Sequence, residues 1–313
     1  MKRIAAIVLA LPALFCFGCG QTPAQPETKQ ISIVTTIFAP YDFARAIAGG
    51  LAELTMLLPP GSEAHSFEPT PRDAMKIQAC DVFVYVGGES DAWVGKLLDS
   101  SANAKRSVVT LMDCVQPLEE EIGEGMQALA EENGGGEIEY DEHVWTSPKN
   151  AKRIAEKISA ALCEADPANA EAYRRNTEAY LQKLSALDAE FQAIVDQAAR
   201  RTIVFGDRFP FLYFTRAYGL RYAAAFPGCA AEAEASPATV VGLINKIKAD
   251  RIPVVFHIEL SNEKMARAIA EATGAKVMLF HACHRISAAD FRAGKTYLDF
   301  MRSNAAALRA ALG

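Results

Sequence analysis

Short apolar runs rich in β-branched residues alternate with amphipathic segments along most of this chain. In the first half, the pattern predicts strands at residues 31–37, 53–58, 81–86 and 107–111 and helices at 40–48, 71–79 and 92–98. The strand at 81–86 is almost continuously apolar, as expected for a parallel strand covered on both faces of its sheet. Alternation of strands with helices indicates βαβ units and a mostly parallel sheet.

The second half of the chain shows the same alternation. It predicts strands at residues 202–206, 222–226, 254–258 and 276–280 and helices at 209–218, 237–249, 262–273 and 291–312. We therefore predict an α/β protein of two lobes, each with a mostly parallel sheet flanked by helices. The N-terminal lobe covers residues 31–165 and the C-terminal lobe covers residues 201–313.

The segment between the lobes carries one apolar stripe with helical spacing. Its members are Tyr173, Tyr180, Leu184, Leu187, Phe191, Ile194 and Ala198. They lie three, four or seven residues apart and predict a single long linker helix at 166–200. Around thirty helical residues would span about 45 Å. Such a helix could be a rigid strut between the lobes, and the alternative is a helix packed along one domain.

An acidic loop at residues 117–142, rich in Glu and Gly, interrupts the first lobe. One helical turn is predicted near residues 126–130. Loops of this length in compact domains are usually functional or disordered. The loop could bind cations weakly, and a solvated insertion without a role is an equal alternative.

The first residues have the features of an export signal. A basic pair and an apolar stretch, too short to span a bilayer, precede Cys19. We predict a lipoprotein signal peptide at residues 1–18, a lipid anchor on Cys19 and a flexible tether at 19–30. The alternative is an ordinary secretory signal cleaved nearby. Both place the protein outside the cytoplasm, and the anchor would attach it to the cell membrane.

Composition and charge argue against a nucleic-acid partner. The 313 residues are 50% hydrophobic, which is enough to form the cores of two lobes. The formal net charge is −6, and removal of the basic pair in the signal lowers it by two. An acidic chain without a basic stripe does not attract nucleic acid over its surface.

Candidate metal ligands lie in loops or at the ends of predicted strands. They are His65, His143, Asp207, Glu259, His281 and His284. Ligands gather beyond the carboxyl ends of the strands in parallel sheets, so we expect these side chains at the same edge of the two lobes. Imidazole and carboxylate ligands together suit zinc, manganese or iron.

Some of these residues have structural alternatives. Asp207 could cap the helix that follows it. Glu259 could pair with Lys264 or Arg285. The fifth histidine, His257, alternates with strand residues and is expected to be buried or to support a ligand rather than bind metal.

Three segments resemble the substrate-binding lipoproteins of zinc and manganese ABC importers. They are GSEAHSFEPTPRD at 61–73, DEHVWTSPKNA at 141–151 and TYLDFMRSNAAALRAAL at 296–312. The resemblance covers nearly the whole mature chain. It implies two α/β lobes joined by a long helix, a divalent metal ion in the cleft between them, and delivery of that ion to the permease of an ABC importer.

The resemblance also implies individual ligands. His65 and His143 match the two histidines of the family's N-terminal lobe. Asp207 falls at the third ligand position, Glu259 matches an acidic residue after the next strand, and His281 stands where the family commonly has Asp. The metal is the transported cargo, with zinc expected first and manganese second. We expect the protein to be a monomer.

Two of the seven cysteines, Cys229 and Cys283, lie in predicted loops of the C-terminal lobe. A disulfide between them is possible in an exported protein and would fix the ligand loop. The alternative is that they bind metal as thiolates. Cys80 precedes its strand and Cys114 follows its own, so these two lie at opposite edges of a parallel sheet and should not bond.

The sequence lacks the features of a zinc-dependent enzyme. A zinc hydrolase needs an open coordination position and a general base, and the chain lacks an HExxH motif and a serine-triad context. No enzyme is therefore expected. We favour a metal carrier that serves an importer, and the alternative is a surface metal-binding adhesin or a metal buffer on the same fold.

Overall fold

A computed structural model describes residues 30–99, 103, 105–121, 123–124, 126, 139–228 and 236–313. Its strands are β1 (Ile31–Thr35), β2 (Ala52–Met56), β3 (Val82–Tyr85), β4 (Ser107–Thr110), β5 (Thr202–Phe209), β6 (Arg221–Pro227), β7 (Val254–His257) and β8 (Lys276–Leu279). Its helices are α1 (Phe38–Ala48), α2 (Pro71–Ala79), α3 (Ala92–Asp99), α4 (Pro148–Ala165), α5 (Ala170–Asp196), α6 (Leu212–Tyr218), α7 (Pro237–Asp250), α8 (Lys264–Thr273), α9 (Ala288–Arg292) and α10 (Tyr297–Leu312). Short 3-10 helices lie at Met112–Cys114 and Val144–Thr146.

The strands form two four-stranded sheets in which neighbouring strands are parallel. The strand order is β2-β1-β3-β4 in the first lobe and β6-β5-β7-β8 in the second, so the two lobes share one topology. The predicted fold class is confirmed. Val82, Phe83 and Val84 of β3 are fully buried, which explains why this strand lacks alternating polar residues.

Local sequence signals begin several helices. Helix α2 begins at Pro71 behind Thr70, whose hydroxyl accepts a hydrogen bond from the Asp73 backbone N–H. The Asp73 carboxylate in turn accepts a hydrogen bond from the Thr70 backbone N–H. The first N–H groups of a helix have no acceptor within the helix, and this capping box supplies hydrogen-bond partners at that point. Helix α7 begins similarly at Pro237, with the Ser236 hydroxyl as its cap.

The C-terminal segment differs from the predicted single helix at 291–312. The structure has two helices here, because α9 ends at Arg292 and α10 begins at Tyr297. Gly294 adopts a left-handed backbone conformation between them, with φ of 69°. Thr296 and Asp299 then form a second capping box, which starts a new helix.

The long helix α5 contains 27 residues. At about 1.5 Å per residue it spans roughly 40 Å. It packs against α1 and α4 of the first lobe and against α10 of the second. Its buried stripe includes Tyr173, Leu184 and Phe191, which the apolar spacing had indicated.

Hydrogen bonds join the lobes beside the cleft. The Trp145 indole Nε1 donates to the Ala282 carbonyl at 2.8 Å, and the Tyr297 hydroxyl donates to the Trp145 carbonyl at 2.8 Å. The Tyr213 hydroxyl donates to the Asp141 carbonyl at 2.9 Å. Polar contacts therefore add to apolar packing in holding the lobes together.

Within the described ranges, no helix combines the length and the apolar character needed to cross a membrane. The predicted signal peptide and the proposed anchor Cys19 lie outside the described residues, as do residues 127–130 of the predicted helical turn. The two described ends of the acidic loop meet where the Glu120 N–H donates to the Glu139 carbonyl at 2.8 Å.

Candidate metal centre

His65 lies in the loop between β2 and α2, beyond the carboxyl end of β2. Its Nδ1 atom is 3.0 Å from the hydroxyl of Ser90, which lies in the turn after β3. Because Nδ1 is engaged by Ser90, Nε2 is the ring nitrogen left to bind a metal ion.

His143 directly precedes the 3-10 helix Val144–Thr146 and is 1% exposed. The Asp141 carboxylate accepts a hydrogen bond from the His143 backbone N–H at 2.7 Å and lies 3.0 Å from its Nδ1. A carboxylate can only accept, so the ring proton is on Nδ1 and the lone pair is on Nε2. A carboxylate behind a histidine is a common support for a metal ligand.

His284 lies in the loop after β8 of the second lobe and is 8% exposed. The Glu259 carboxylate holds this loop through hydrogen bonds to its backbone. Its Oε2 accepts a hydrogen bond from the Ala282 N–H at 2.7 Å, and its Oε1 accepts from the N–H groups of His284 and Arg285, both at 3.1 Å. The loop turns sharply at Cys283, which adopts a left-handed conformation with φ of 57°.

The three histidines converge in the cleft between the lobes. One ring nitrogen from each of His65, His143 and His284 lies within 4.8 Å of the other two. The ring centroids are 4.9 Å apart for His65 and His284, 5.2 Å for His143 and His284, and 5.7 Å for His65 and His143. The rings line a cavity of about 10 Å³, close to the volume that one water or one ion needs. This three-histidine cluster can supply three corners of a tetrahedral metal site.

Burial keeps the rings of His65 and His284 neutral. Burial lowers the pKa of His65 to about 3, and the charges of His143 and Arg208 add to the effect. Burial also lowers the pKa of His284 well below its usual range. Because a metal ion needs the lone pair of a neutral imidazole, the cluster can bind a cation without first losing protons.

Two arginines of the second lobe line the same cavity. Glu63 of the first lobe forms ion pairs with Arg208 at 3.4 Å and with Arg285 at 2.5 Å. These ion pairs cross the cleft two residues from His65. The Glu63 carboxylate therefore offsets positive charge that would otherwise oppose a bound cation.

A protein-family model described as ZnuA, the periplasmic component A of the zinc-uptake complex, matches residues 33–311. The chain belongs to the ZnuA family. This membership confirms the resemblance seen in the sequence. The family is one of metal-binding proteins rather than enzymes, in agreement with the prediction that no enzyme is present.

Two relatives show how far the likeness extends. The zinc-binding lipoprotein AdcA of Streptococcus pneumoniae serotype 4 is 31% identical over 310 residues, which are 99% of this chain and 61% of AdcA. The iron-binding protein YfeA of Yersinia pestis is 33% identical over 250 residues, which are 79% of this chain and 76% of YfeA. The chain therefore spans less than two thirds of AdcA.

The solved structure of one domain of AdcA is similar to this chain. The crystal structure of the Zn(II)-bound ZnuA-like domain of Streptococcus pneumoniae AdcA superposes with a TM-score of 0.75 at 29% identity. The match covers 90% of this chain and 99% of that domain. The two-lobed fold described above is thus the fold of a ZnuA-like domain.

Asp207 and Glu259, which the sequence suggested as ligands, lie outside the three-histidine cluster. The Asp207 carboxylate accepts hydrogen bonds from the backbone N–H groups of Arg208 at 2.8 Å and Ile258 at 3.2 Å. It does not cap a helix, because β5 continues to Phe209. Both carboxylates hold backbone in place, and Glu259 also lines the cavity of the cluster, so ligation by these two residues stays a prediction.

His281 also lies outside the cluster, although it stands three residues before His284. Its Nδ1 accepts a hydrogen bond from the Cys283 N–H at 2.9 Å, so the ring proton is on Nε2. The ring stacks on Phe300 with centroids 3.8 Å apart. With one nitrogen bonded and the other protonated, His281 has no lone pair to offer. His257, expected to be a supporting residue, is not in the cluster either.

Cys283 is a free cysteine and is fully buried. Its predicted disulfide partner, Cys229, lies outside the described residues. The left-handed turn directs the Cys283 side chain into the core, and burial raises the pKa of its thiol well above the usual range. Cys80 and Cys114 are free, as predicted.

Sequence reasoning missed the residues that support the histidines, namely Ser90, Asp141 and Glu142. Signals for them were present. Asp141 and Glu142 directly precede His143 in the DEHVW segment. Ser90 follows the buried parallel strand β3, and His65 follows β2. Both residues therefore lie beyond the carboxyl ends of their strands, at the same edge of the sheet.

Proposed function

We propose that this protein captures a divalent transition-metal ion, zinc in the first place, in the three-histidine cluster and delivers it to an ABC importer. One observation carries the proposal: His65 and His143 of the first lobe and His284 of the second place ring nitrogens within 4.8 Å of one another. A cleft that encloses its cargo requires ligands from both lobes.

The donor atoms favour zinc over manganese. The cluster offers neutral imidazole nitrogen, a borderline ligand that suits zinc, and among the described residues no carboxylate belongs to it. Manganese binds better where hard carboxylate oxygen is present. Within this proposal, a fourth ligand from solvent or from the protein completes the tetrahedron.

Capture and release follow from the position of the ligands. A metal ion bound by both lobes stabilises their closed arrangement, and release requires the lobes to part. The three rings from the two lobes surround a cavity of about 10 Å³, which suits enclosure of a single ion. Helix α5 packs against both lobes and would limit how far they swing.

The location and the partner are part of the proposal. The family model describes a periplasmic component, and AdcA is named a lipoprotein. We infer that the mature chain is lipid-anchored through Cys19 outside the cytoplasm, and that it meets the permease of its importer at the membrane surface as a monomer.

Elemental analysis tests the proposal. The chain without its signal peptide is purified without chelators, its metal content is measured, and zinc and manganese are then titrated in competition with a chromophoric chelator. We expect one tightly held zinc ion per chain, lost in His65→Ala, His143→Ala and His284→Ala. His257→Ala serves as the matched control and should keep the ion. Binding of no ion by the wild-type chain would refute the proposal.

The adhesin or buffer alternative makes a different prediction for cells. Deletion of a carrier lowers zinc uptake and leaves attachment of the cells to surfaces unchanged. Deletion of an adhesin weakens attachment of the cells to surfaces and leaves zinc uptake unchanged. Deletion of a buffer leaves initial uptake intact.

A further inference from the structure

The orientation of His65 depends on a side chain from another loop. The Ser90 hydroxyl lies 3.0 Å from His65 Nδ1, on the side of the ring away from the nitrogen that would bind metal. An imidazole that is hydrogen-bonded at Nδ1 is fixed in ring direction. Ser90 is therefore placed to set where the His65 lone pair points.

Ser90 is itself held by a buried carboxylate. Its backbone N–H donates to Glu142 Oε1 at 2.8 Å, and Glu142 is only 3% exposed. The carboxylate lies over Gly88, where an added Cβ atom would come within 2.5 Å of Glu142 Oε1. Gly88 also has a positive φ of 74°. The turn that carries Ser90 is thus built around the Glu142 side chain.

Glu142 connects this turn to a second histidine, because it directly precedes His143 in the chain. Its other neighbour, Asp141, bonds the His143 ring at Nδ1. Adjacent carboxylates consequently support two different histidines: Asp141 supports His143 directly, and Glu142 supports His65 through Ser90. A shift of this short segment would move both rings together.

We propose that Ser90 and Glu142 are positioning residues that hold His65 in register with His143 for metal binding. The inference rests on the proposed function, since it concerns the same three-histidine cluster. Supporting partners of metal ligands typically change metal affinity by about 10- to 100-fold when removed. Because Glu142 acts on His65 through Ser90, the loss of either residue should produce the same defect. The double variant should bind zinc no more weakly than the more affected single variant.

The test compares Ser90→Ala and Glu142→Ala with Glu89→Ala as the matched control. Glu89 is an exposed neighbour on the same turn, so its removal takes away a similar charge without touching the Ser90 contact. Zinc affinity is measured by competition titration. The visible absorption spectrum of the cobalt-loaded protein reports the ligand geometry, which a purely structural defect elsewhere would not change.

We expect Ser90→Ala and Glu142→Ala to weaken zinc binding by about 10- to 100-fold and to alter the cobalt spectrum. Ser90→Thr, which keeps the hydroxyl, should restore both properties. Affinity and spectrum equal to those of Glu89→Ala would overturn the inference. If Glu142→Ala does not fold, Ser90→Ala and its Thr counterpart decide alone. Failure of the wild-type chain to bind any ion would refute the proposed function, whereas wild-type binding in all variants refutes only the positioning role.

Discussion

The choice between His281 and His284 is the sharpest consequence of the structure. Replacement of His284 by Asn removes one of three imidazoles from the cluster. Structural zinc sites are worth roughly 10–16 kcal/mol, or about 3 kcal/mol for each of four ligands. Since about 1.4 kcal/mol corresponds to a tenfold change, His284→Asn should weaken zinc binding by about 100-fold.

His281→Asn is the matched variant three residues away. The Asn side-chain oxygen can accept the hydrogen bond that the Cys283 N–H gives to His281 Nδ1. The variant loses the stacked contact with Phe300, which should lower the free energy of unfolding by about 1 kcal/mol. Zinc affinity should stay within about threefold of the wild-type value, because His281 does not belong to the cluster. A threefold change corresponds to less than about 1 kcal/mol.

Isothermal titration calorimetry with a competing chelator measures both affinities, and urea unfolding of the metal-free proteins measures stability. The family resemblance suggests a ligand at residue 281, whereas the three-histidine cluster contains residue 284. Loss of zinc binding in His281→Asn together with wild-type affinity in His284→Asn would refute the reasoning from the hydrogen bonds of the loop.

Three further predictions concern pH, metal removal and a helix cap. Burial lowers the pKa of His65 to about 3, while in the unfolded chain it is about 6.5, so between these values only the unfolded chain binds the proton. Urea unfolding of the metal-free protein should therefore show stability that is fully present above pH 6.5 and falls toward pH 3; a pH slope in His65→Gln as steep as in the wild type would contradict this. Chelation should lower the melting temperature, because zinc at 100 times its dissociation constant stabilises the folded state by about 2.7 kcal/mol, and an unchanged melting temperature in calorimetry would argue against a bound ion. Thr296→Ala should lower the free energy of unfolding by about 1 kcal/mol without changing zinc affinity, since Thr296 caps a helix and does not belong to the cluster.

Much of the fold was predictable because its signals are local. Apolar runs separated by amphipathic stretches predicted the strands of both sheets and the stripe of α5, since burial on one or both faces dictates those patterns. The break before α10 was predictable in principle. Thr296 and Asp299 have the spacing of a capping box, and the helical pattern on either side obscured it.

The sequence by itself determined a two-lobed α/β protein and a set of metal-binding side chains placed at strand ends, because those features depend on residue type and periodicity. Only the tertiary structure decided which of them meet. His65, His143 and His284 come from three loops on two lobes, and their approach depends on how the lobes close. Asp207, Glu259 and His281 have equally suitable donor atoms, but neighbouring backbone N–H groups already engage them. For His281 the hydrogen bond occupies the lone pair of Nδ1, and for the two carboxylates the hydrogen bonds fix the direction of the side chain. No spacing along the chain reveals these contacts.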